Sequence, residues 1–382
     1  MKKKLNIAIF TDTFLPQING IVTATINLAK GLADRGHKIY IICPRFKIKV
    51  NEFKYKNVKI MRLSSIPAYF YEDFRFTSPF IDKNLLKLLE KEKIDLIHFH
   101  TPLPLGIQAI SISKILKIPL IGTFHTLFSD PQYLKNVGMN FKIAEKIAWE
   151  YAKLYYNRCD LIICPTEAIK KELLSKKFKQ PIKAISNGID LSIFRKNKQN
   201  KKRGEYIEDD EKLILYFGRI AHGKNMNYLI DCFNIVLKKL PKTKLLIIGG
   251  GPQLKELKKY VESLNIQNKI IFTGAIPHNK LLKSSIISSC DLFVTASTTE
   301  TQSLTILEAQ ASGLPCIGIN ERGVKNVIKN NKTGILVKNN DKIGFAKAII
   351  KLLTNKRIYN QMKKNISIEI KKQDIKNIAP IF

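Results

Sequence analysis

Apolar residues in the first half of the chain gather in short runs separated by longer amphipathic stretches. The runs Asn6–Phe10, Lys38–Cys43, Val58–Leu63, Asp95–His100, Pro119–Phe124, Leu161–Cys164 and Ile182–Ile185 read as strands. A helical pattern at Ile21–Arg35, with Leu28 and Leu32 apolar, stops at Gly36. Strands alternating with helices predict a mainly parallel sheet covered on both faces. The second half restarts the plan at Leu213–Phe217, Lys244–Ile248, Ile270–Thr273, Leu292–Thr295, Pro315–Ile319 and Gly334–Val337. Between the halves, KNKQNKKRGEYIEDDE is highly charged and nearly free of apolar residues. The expected division is a domain at 1–195, a linker at 196–212, a second domain at 213–365 and a basic tail at 366–382.

The stretch Phe293–Gly313, FVTASTTETQSLTILEAQASG, runs from a strand through a hydroxyl-rich loop into a helix starting near Ser303. A loop that empties into a helix N-terminus presents backbone N–H groups and a positive dipole end, which suits a phosphate. Glu300 precedes the helix and Glu308 lies on it, so the acids flank that anion site and can bond the hydroxyls of an attached sugar and ribose. Spacing alone equally permits a surface loop with two solvated acids.

Other segments place polar groups just past strands, where open α/β sheets carry their sites. In PQINGI, Gly20 permits close backbone approach at a strand-to-helix turn, or is an ordinary turn glycine. His98 and His100 alternate along one strand face, but no third ligand of sensible spacing supports a metal. His125, in IGTFHT, is either packed or aimed at a sugar hydroxyl. In GRIAHGKN, Arg219 and Lys224 can clamp a diphosphate or be ordinary exposed cations. IIGGGPQLKEL lacks a full dinucleotide fingerprint.

Composition narrows the class of protein. The 382 residues suffice for two domains, and 45% hydrophobic content is ordinary for a globular chain. No apolar run is long enough to span a bilayer, and Asp12 ends the first run too early for a signal peptide, so a cytoplasmic protein is expected. The six cysteines form no C-x-x-C pair and read as buried hydrophobes. The net charge of +34 favours an anionic partner: membrane, nucleic acid or phosphorylated substrate. Within Arg45–Phe80, Lys47, Lys49, Lys54, Lys56 and Lys59 precede an aromatic group that includes Phe70, Phe74 and Phe76, as an interfacial surface requires. Phe141–Arg158, with Lys142, Lys146, Trp149, Lys153 and Tyr156, is a second such stretch; a solvated basic face over a core explains the first equally well and the second better. No RRM, KH or helix-turn-helix signature supports nucleic acid.

Glu300-x7-Glu308 within STTETQSL, followed by A-x-A-S-G-L-P, resembles the signature of retaining glycosyltransferases of family 4, and PQINGI, IGTFHT, ISNGID, GRIAHGKN and the G-x-G-P turn extend the resemblance along nearly the whole chain. The resemblance implies an α/β protein of GT-B fold, two Rossmann-like domains facing across a cleft, with the tail packing back on the first. It implies catalytic roles for His125 and Glu300. Substrate contacts fall to Asn19, Gly20, Arg219, Lys224, Gly249, Gly251, Gln302, Ser303, Leu304 and Glu308. Asn19 stands where many members carry a second Gly, and Gly223 where a Glu is common. The donor implied is UDP-glucose or UDP-galactose, with no cofactor and no metal. The N-terminal and signature segments are similar to bacterial enzymes that glycosylate diacylglycerol, which implies a hexosyltransferase on the inner face of the plasma membrane. Phosphatidylinositol, a polyprenol-linked glycan and a soluble sugar are the other acceptors open to such a family.

Overall fold

The computed structural model describes residues 3–46, 53–68, 75–125, 141–195 and 203–382. They divide into two compact units, Met1–Gly188 with Ile375–Phe382, and Ile189–Asp374.

The first unit contains strands β1 (Asn6–Phe10), β2 (Lys38–Pro44), β3 (Val58–Leu63), β4 (Ser65–Pro67), β5 (Arg75–Thr77), β6 (Leu96–Phe99), β7 (Leu120–Thr123), β8 (Leu161–Cys164) and β9 (Ile182–Ala184). Seven of them form one sheet in the order β3-β2-β1-β6-β7-β8-β9, with every pair parallel. Successive side chains point to opposite faces, so the apolar runs feed two cores. Ala8 and Phe10 join Tyr40, Ile42 and Phe99 on one face, while Ile7 and Ile9 join Ile39 and Ile41 on the other. The helix Gly20–Asp34 covers the second face with Val22, Leu28 and Leu32, and Gly36 at φ 91° turns the chain out of it. The Arg45–Phe80 stretch also holds an antiparallel ribbon of β4 and β5.

The second unit contains β10 (Lys212–Phe217), β11 (Thr243–Ile248), β12 (Ile270–Gly274), β13 (Leu292–Thr295), β14 (Cys316–Ile319) and β15 (Gly334–Val337), ordered β12-β11-β10-β13-β14-β15. Both sheets grow outward from their first strand and then reverse. The reversal falls between β1 and β6 in one unit and between β10 and β13 in the other. Ligands of doubly wound sheets bind at that point, beyond the strand C-termini.

Two expected boundaries move. The first domain ends at Gly188 rather than at 195, because Ile189, Leu191 and Phe194 bury with Ile207, Leu213 and Leu281 of the second unit. Residues 196–202 of the expected linker lie outside the described residues. The tail divides at Asp374: Ile366 and Ile370 are buried in the second unit, and only Ile375–Phe382 belongs to the first. There Ile375 and Ala379 lie against Gly31, where a Cβ would stand 2.8 Å from each. All six cysteines are buried and free.

Candidate active site: strand-end clusters in the two units

In the second unit, the loops after β10, β11 and β13 meet at the reversal of the sheet. Gly218, at φ 144°, leads the chain away from β10, and its N–H donates to the Ile248 carbonyl at 3.0 Å. Gly249 and Gly251, after β11, also hold positive φ, 155° and 151°. A Cβ on Gly249 would sit 1.9 Å from the Gly218 carbonyl oxygen, and one on Gly251 would sit 2.2 Å from that of Ile220. Only glycine allows one backbone turn to lie on the other. This packing is a requirement within the protein, distinct from the substrate contact implied for the two glycines.

The short turn His222–Lys224 is tied to the loop after β13. Ser297 and Thr299 donate their hydroxyls to the Gly223 carbonyl at 2.9 and 3.3 Å. Lys224 Nζ donates to Glu300 Oε1 at 2.5 Å, with the two side chains 27% and 17% exposed. The resemblance implies separate tasks for these residues, and the structure makes them a half-buried ion pair. Arg219 is exposed in the same loop, and its carbonyl accepts from the buried Tyr216 hydroxyl at 2.9 Å. The Gly323 N–H holds the Glu300 carbonyl at 2.9 Å.

The helix after this loop runs Leu304–Ala311, with Ser303 as N-cap and no side-chain cap bond. Gln302, Ser303 and Leu304 are buried at its start. Glu308 is 2% exposed, so it is no solvated acid. Its Oε1 lies 2.8 Å from His278 Nε2, and its Oε2 is buried with no hydrogen-bond partner. Burial alone lowers the His278 pKa, but the charge and hydrogen bond of Glu308 outweigh it and leave the imidazole above its ordinary value. Sequence reasoning missed His278, whose signal was a lone histidine after Pro277 at the start of a short helix, thirty residues before its partner.

The reversal in the first unit is lined by buried groups instead. Asp12, directly after β1, is fully buried. It accepts from the Thr101 hydroxyl at 2.7 Å and from the Leu105 N–H at 3.1 Å, yet burial pushes its pKa up to about 7. Asp12 was legible as the residue that ends the first apolar run, though not as a buried acid at a strand end.

His98, His100 and His125 form a buried row. His125 Nε2 is 2.9 Å from His100 Nδ1, His100 Nδ1 is 3.2 Å from the Thr25 hydroxyl, and His98 Nε2 is 2.6 Å from that of Thr123. Burial pulls all three pKa values down, to about 3 for His98 and His125, so the neutral imidazoles are present at pH 7. His125 supplies the neighbour that spacing did not, but the rings bond one another, and no group of metal-binding side chains occurs among the described residues.

Asn19 caps the helix Gly20–Asp34: its side chain accepts from Val22 N–H at 3.0 Å and donates to the Thr13 hydroxyl at 2.7 Å. Both ends of the amide are therefore engaged locally. Gly20 is exposed, and a Cβ there would meet nothing within 4 Å.

Of the residues expected at a membrane, Lys47, Lys49, Phe70 and Phe74 lie outside the described residues. Lys54, Lys56 and Lys59 are exposed. Lys56 pairs with Asp34 at 3.1 Å and Lys59 with Glu92 at 2.9 Å, which offsets part of their charge. Phe76 is half-buried on β5, opposite Ile66. In the helix Phe141–Tyr156, Trp149 and Tyr156 are buried, whereas Ile143, Ile147, Tyr151 and Leu154 are exposed. Their spacing puts the exposed four along one face. No helix among the described residues is long and apolar enough to cross a membrane.

Two family models match, "Glycosyltransferase Family 4" over residues 18–193 and "Glycosyl transferases group 1" over residues 197–368. Alpha-monoglucosyldiacylglycerol synthase of Streptococcus pneumoniae is 33% identical over 338 residues, 87% of this chain and 75% of the relative. The Acholeplasma laidlawii protein of that name is 28% identical, over 96% of this chain and 93% of its own. An Anabaena protein solved with UDP and glucose superposes with a TM-score of 0.75 at 16% identity, covering 99% of this chain and 98% of that one. With its two Rossmann-like parallel sheets, its matched signatures and these relatives, the chain is a GT-B protein and belongs to glycosyltransferase family 4.

Proposed function

We propose that the protein is a retaining hexosyltransferase that moves glucose, or galactose, from a UDP-sugar to 1,2-diacylglycerol, giving an α-monoglycosyldiacylglycerol. The observation that carries this reading is the similarity, over 87% and 96% of the chain, to two bacterial relatives named alpha-monoglucosyldiacylglycerol synthase. Their names make glucose the first donor to test.

Arg219 and Lys224 meet the donor diphosphate and absorb negative charge as it departs. Glu300 holds hydroxyls of the hexose and keeps the Lys224 ammonium in place through their 2.5 Å bond. Backbone amides at Gln302–Leu304 support the phosphate, and Glu308 takes the ribose. The acceptor oxygen bonds to the anomeric carbon on the face from which the phosphate leaves. Its proton passes to that phosphate, so the products are UDP and an α-glycoside without a protein nucleophile. His125, held neutral, serves as a hydrogen-bonding group for the sugar, and Gly20 leaves room for it. Arg219 and Lys224 supply the positive charge that a metal would otherwise bring, so none is required.

The lipid acceptor places the enzyme at the cytoplasmic membrane surface. The exposed Ile143, Ile147, Tyr151 and Leu154, with Lys142 and Lys146 beside them, suit a bilayer interface. The test is a product assay crossing UDP-glucose and UDP-galactose with diacylglycerol, polyprenol phosphate and a soluble sugar, with and without EDTA. An α-linked glycolipid made from diacylglycerol in both conditions is expected. A β-anomeric coupling, or transfer to the polyprenol or soluble acceptor alone, would overturn the proposal.

A further inference from the structure

A carboxylate removed from water needs a partner for each oxygen, since a dry unpaired acceptor forfeits its hydration with nothing in return. Glu308 meets half of that need: Oε1 is 2.8 Å from His278 Nε2, and Oε2 is buried with no partner. We propose that His278 is a positioning residue that fixes Glu308 so that Oε2 accepts from the vicinal ribose hydroxyls of the bound nucleoside diphosphate. The inference rests on the donor reading above and assigns a task to a residue which that reading leaves unused.

Packing sets the geometry. His278 opens the helix His278–Lys283, whose Leu281 and Leu282 bury in the same cluster as Leu304 and Leu307 of the helix that carries Glu308. Two helices locked by four leucines hold imidazole and carboxylate at one separation, as a precise subsite requires. The bond to Oε1 leaves Oε2 as the oxygen that can accept from the diol. Without His278 the carboxylate would be left dry at both oxygens and free to rotate away from the diol.

The test is calorimetric titration of wild type, His278→Ala and His278→Gln with UDP and with 2′,3′-dideoxy-UDP, alongside steady-state transfer from the UDP-sugar. His278→Ala should weaken UDP about tenfold and leave dideoxy-UDP within twofold, because the latter has no hydroxyl for Oε2. His278→Gln, with an amide N–H in place of the ring donor, should keep most of the UDP affinity. The donor KM should rise with kcat nearly unchanged, since the contact is equal in ground and transition states. In a Glu308→Gln background, His278→Ala should change UDP affinity by less than twofold. Equal losses for both nucleotides, no loss for either, or an undiminished loss in the Glu308→Gln background would overturn the positioning role alone. Failure of the wild type to bind UDP would overturn the donor reading, and this inference with it.

Discussion

The two units share a strand order and differ in what they place at its reversal. In the first, the reversal is filled by a buried acid and a row of buried neutral histidines. In the second, it carries a half-buried Lys224–Glu300 pair with the exposed Arg219 beside it. Topology thus fixes where chemistry sits, and side chains decide what it is. Net charge does not distinguish the units, at +17 in each (32 basic against 15 acidic residues, and 33 against 16). Exposed apolar side chains do. Of the thirteen large ones among the described residues, only Ile343 and Ile368 belong to the second unit. An anionic ligand fits either unit by charge, but a lipid surface fits the first.

The largest expected effect lies in the second unit. Glu300→Ala should lower transfer by about 10²–10³-fold, as loss of a preorganised polar contact does, while UDP affinity changes little. Lys224→Ala should weaken both. The double variant should fall well short of the product of the two losses, because the residues bond each other. Near-normal turnover by Glu300→Ala would remove the charged reversal from the chemistry.

Glycines sharpen the contrast. Gly251→Ala combines a positive φ with a 2.2 Å approach to a carbonyl and should cost about 3 kcal/mol or more of stability, read by chemical denaturation. Gly20→Ala meets nothing and should hold or raise stability by up to about 1 kcal/mol, yet lower transfer. Full activity in Gly20→Ala would show that nothing approaches that backbone.

Much of this architecture was readable from the chain, for identifiable reasons. Strands buried on both faces, such as Tyr40–Ile42 and Leu213–Phe217, announce themselves as continuous apolar runs. The charged pair at Lys224 and Glu300 lay in motifs that resemblance made specific. Long-range burial was not readable: His278 gains its meaning only from a helix thirty residues later, and Asp12 only from Thr101 and Leu105. The Gly188 boundary was hidden too, since Ile189, Leu191 and Phe194 look the same in either unit until packing assigns them.

Acid should separate the units. His98, His100 and His125 have folded pKa values below the unfolded 6.5, so the stability they contribute is present above that pH and is lost as pH falls toward about 3. Asp12 acts oppositely: its folded pKa of about 7 exceeds the unfolded 3.8, so its contribution is present below pH 4 and is lost as pH rises through 7. Three groups outweigh one between pH 6.5 and 4, and the first unit should lose stability there. His278, raised in the folded state, contributes below pH 6.5 and loses its effect only as pH rises through the folded value. Hydrogen exchange at pH 7 and pH 5 should show the first unit loosening first; equal loosening would contradict the assigned protonation states. Asp12→Asn should be more stabilising at pH 8 than at pH 5, on either side of the Asp12 transition near 7.

Smaller effects are expected at the membrane. Ile143, Ile147 and Leu154 changed together to Ser should weaken binding to anionic vesicles about tenfold or more, since each loses apolar burial in the interface. Changing Lys54, Lys56 and Lys59 to Glu should matter less, at no more than about 1 kcal/mol per residue, because Asp34 and Glu92 already offset two of them. A larger loss from the lysines would favour charge over apolar contact.

The division of labour between the units is tested most directly by hydrogen exchange with mass spectrometry on one protein under two ligands. UDP should protect the backbone around Gly218–Lys224, Gly249–Gly251 and Glu300–Glu308. Anionic vesicles containing diacylglycerol should protect the helix Phe141–Tyr156 and leave the second unit unchanged. Protection of the second unit by vesicles, or of the first unit alone by UDP, would contradict the assignment of donor and lipid to separate units.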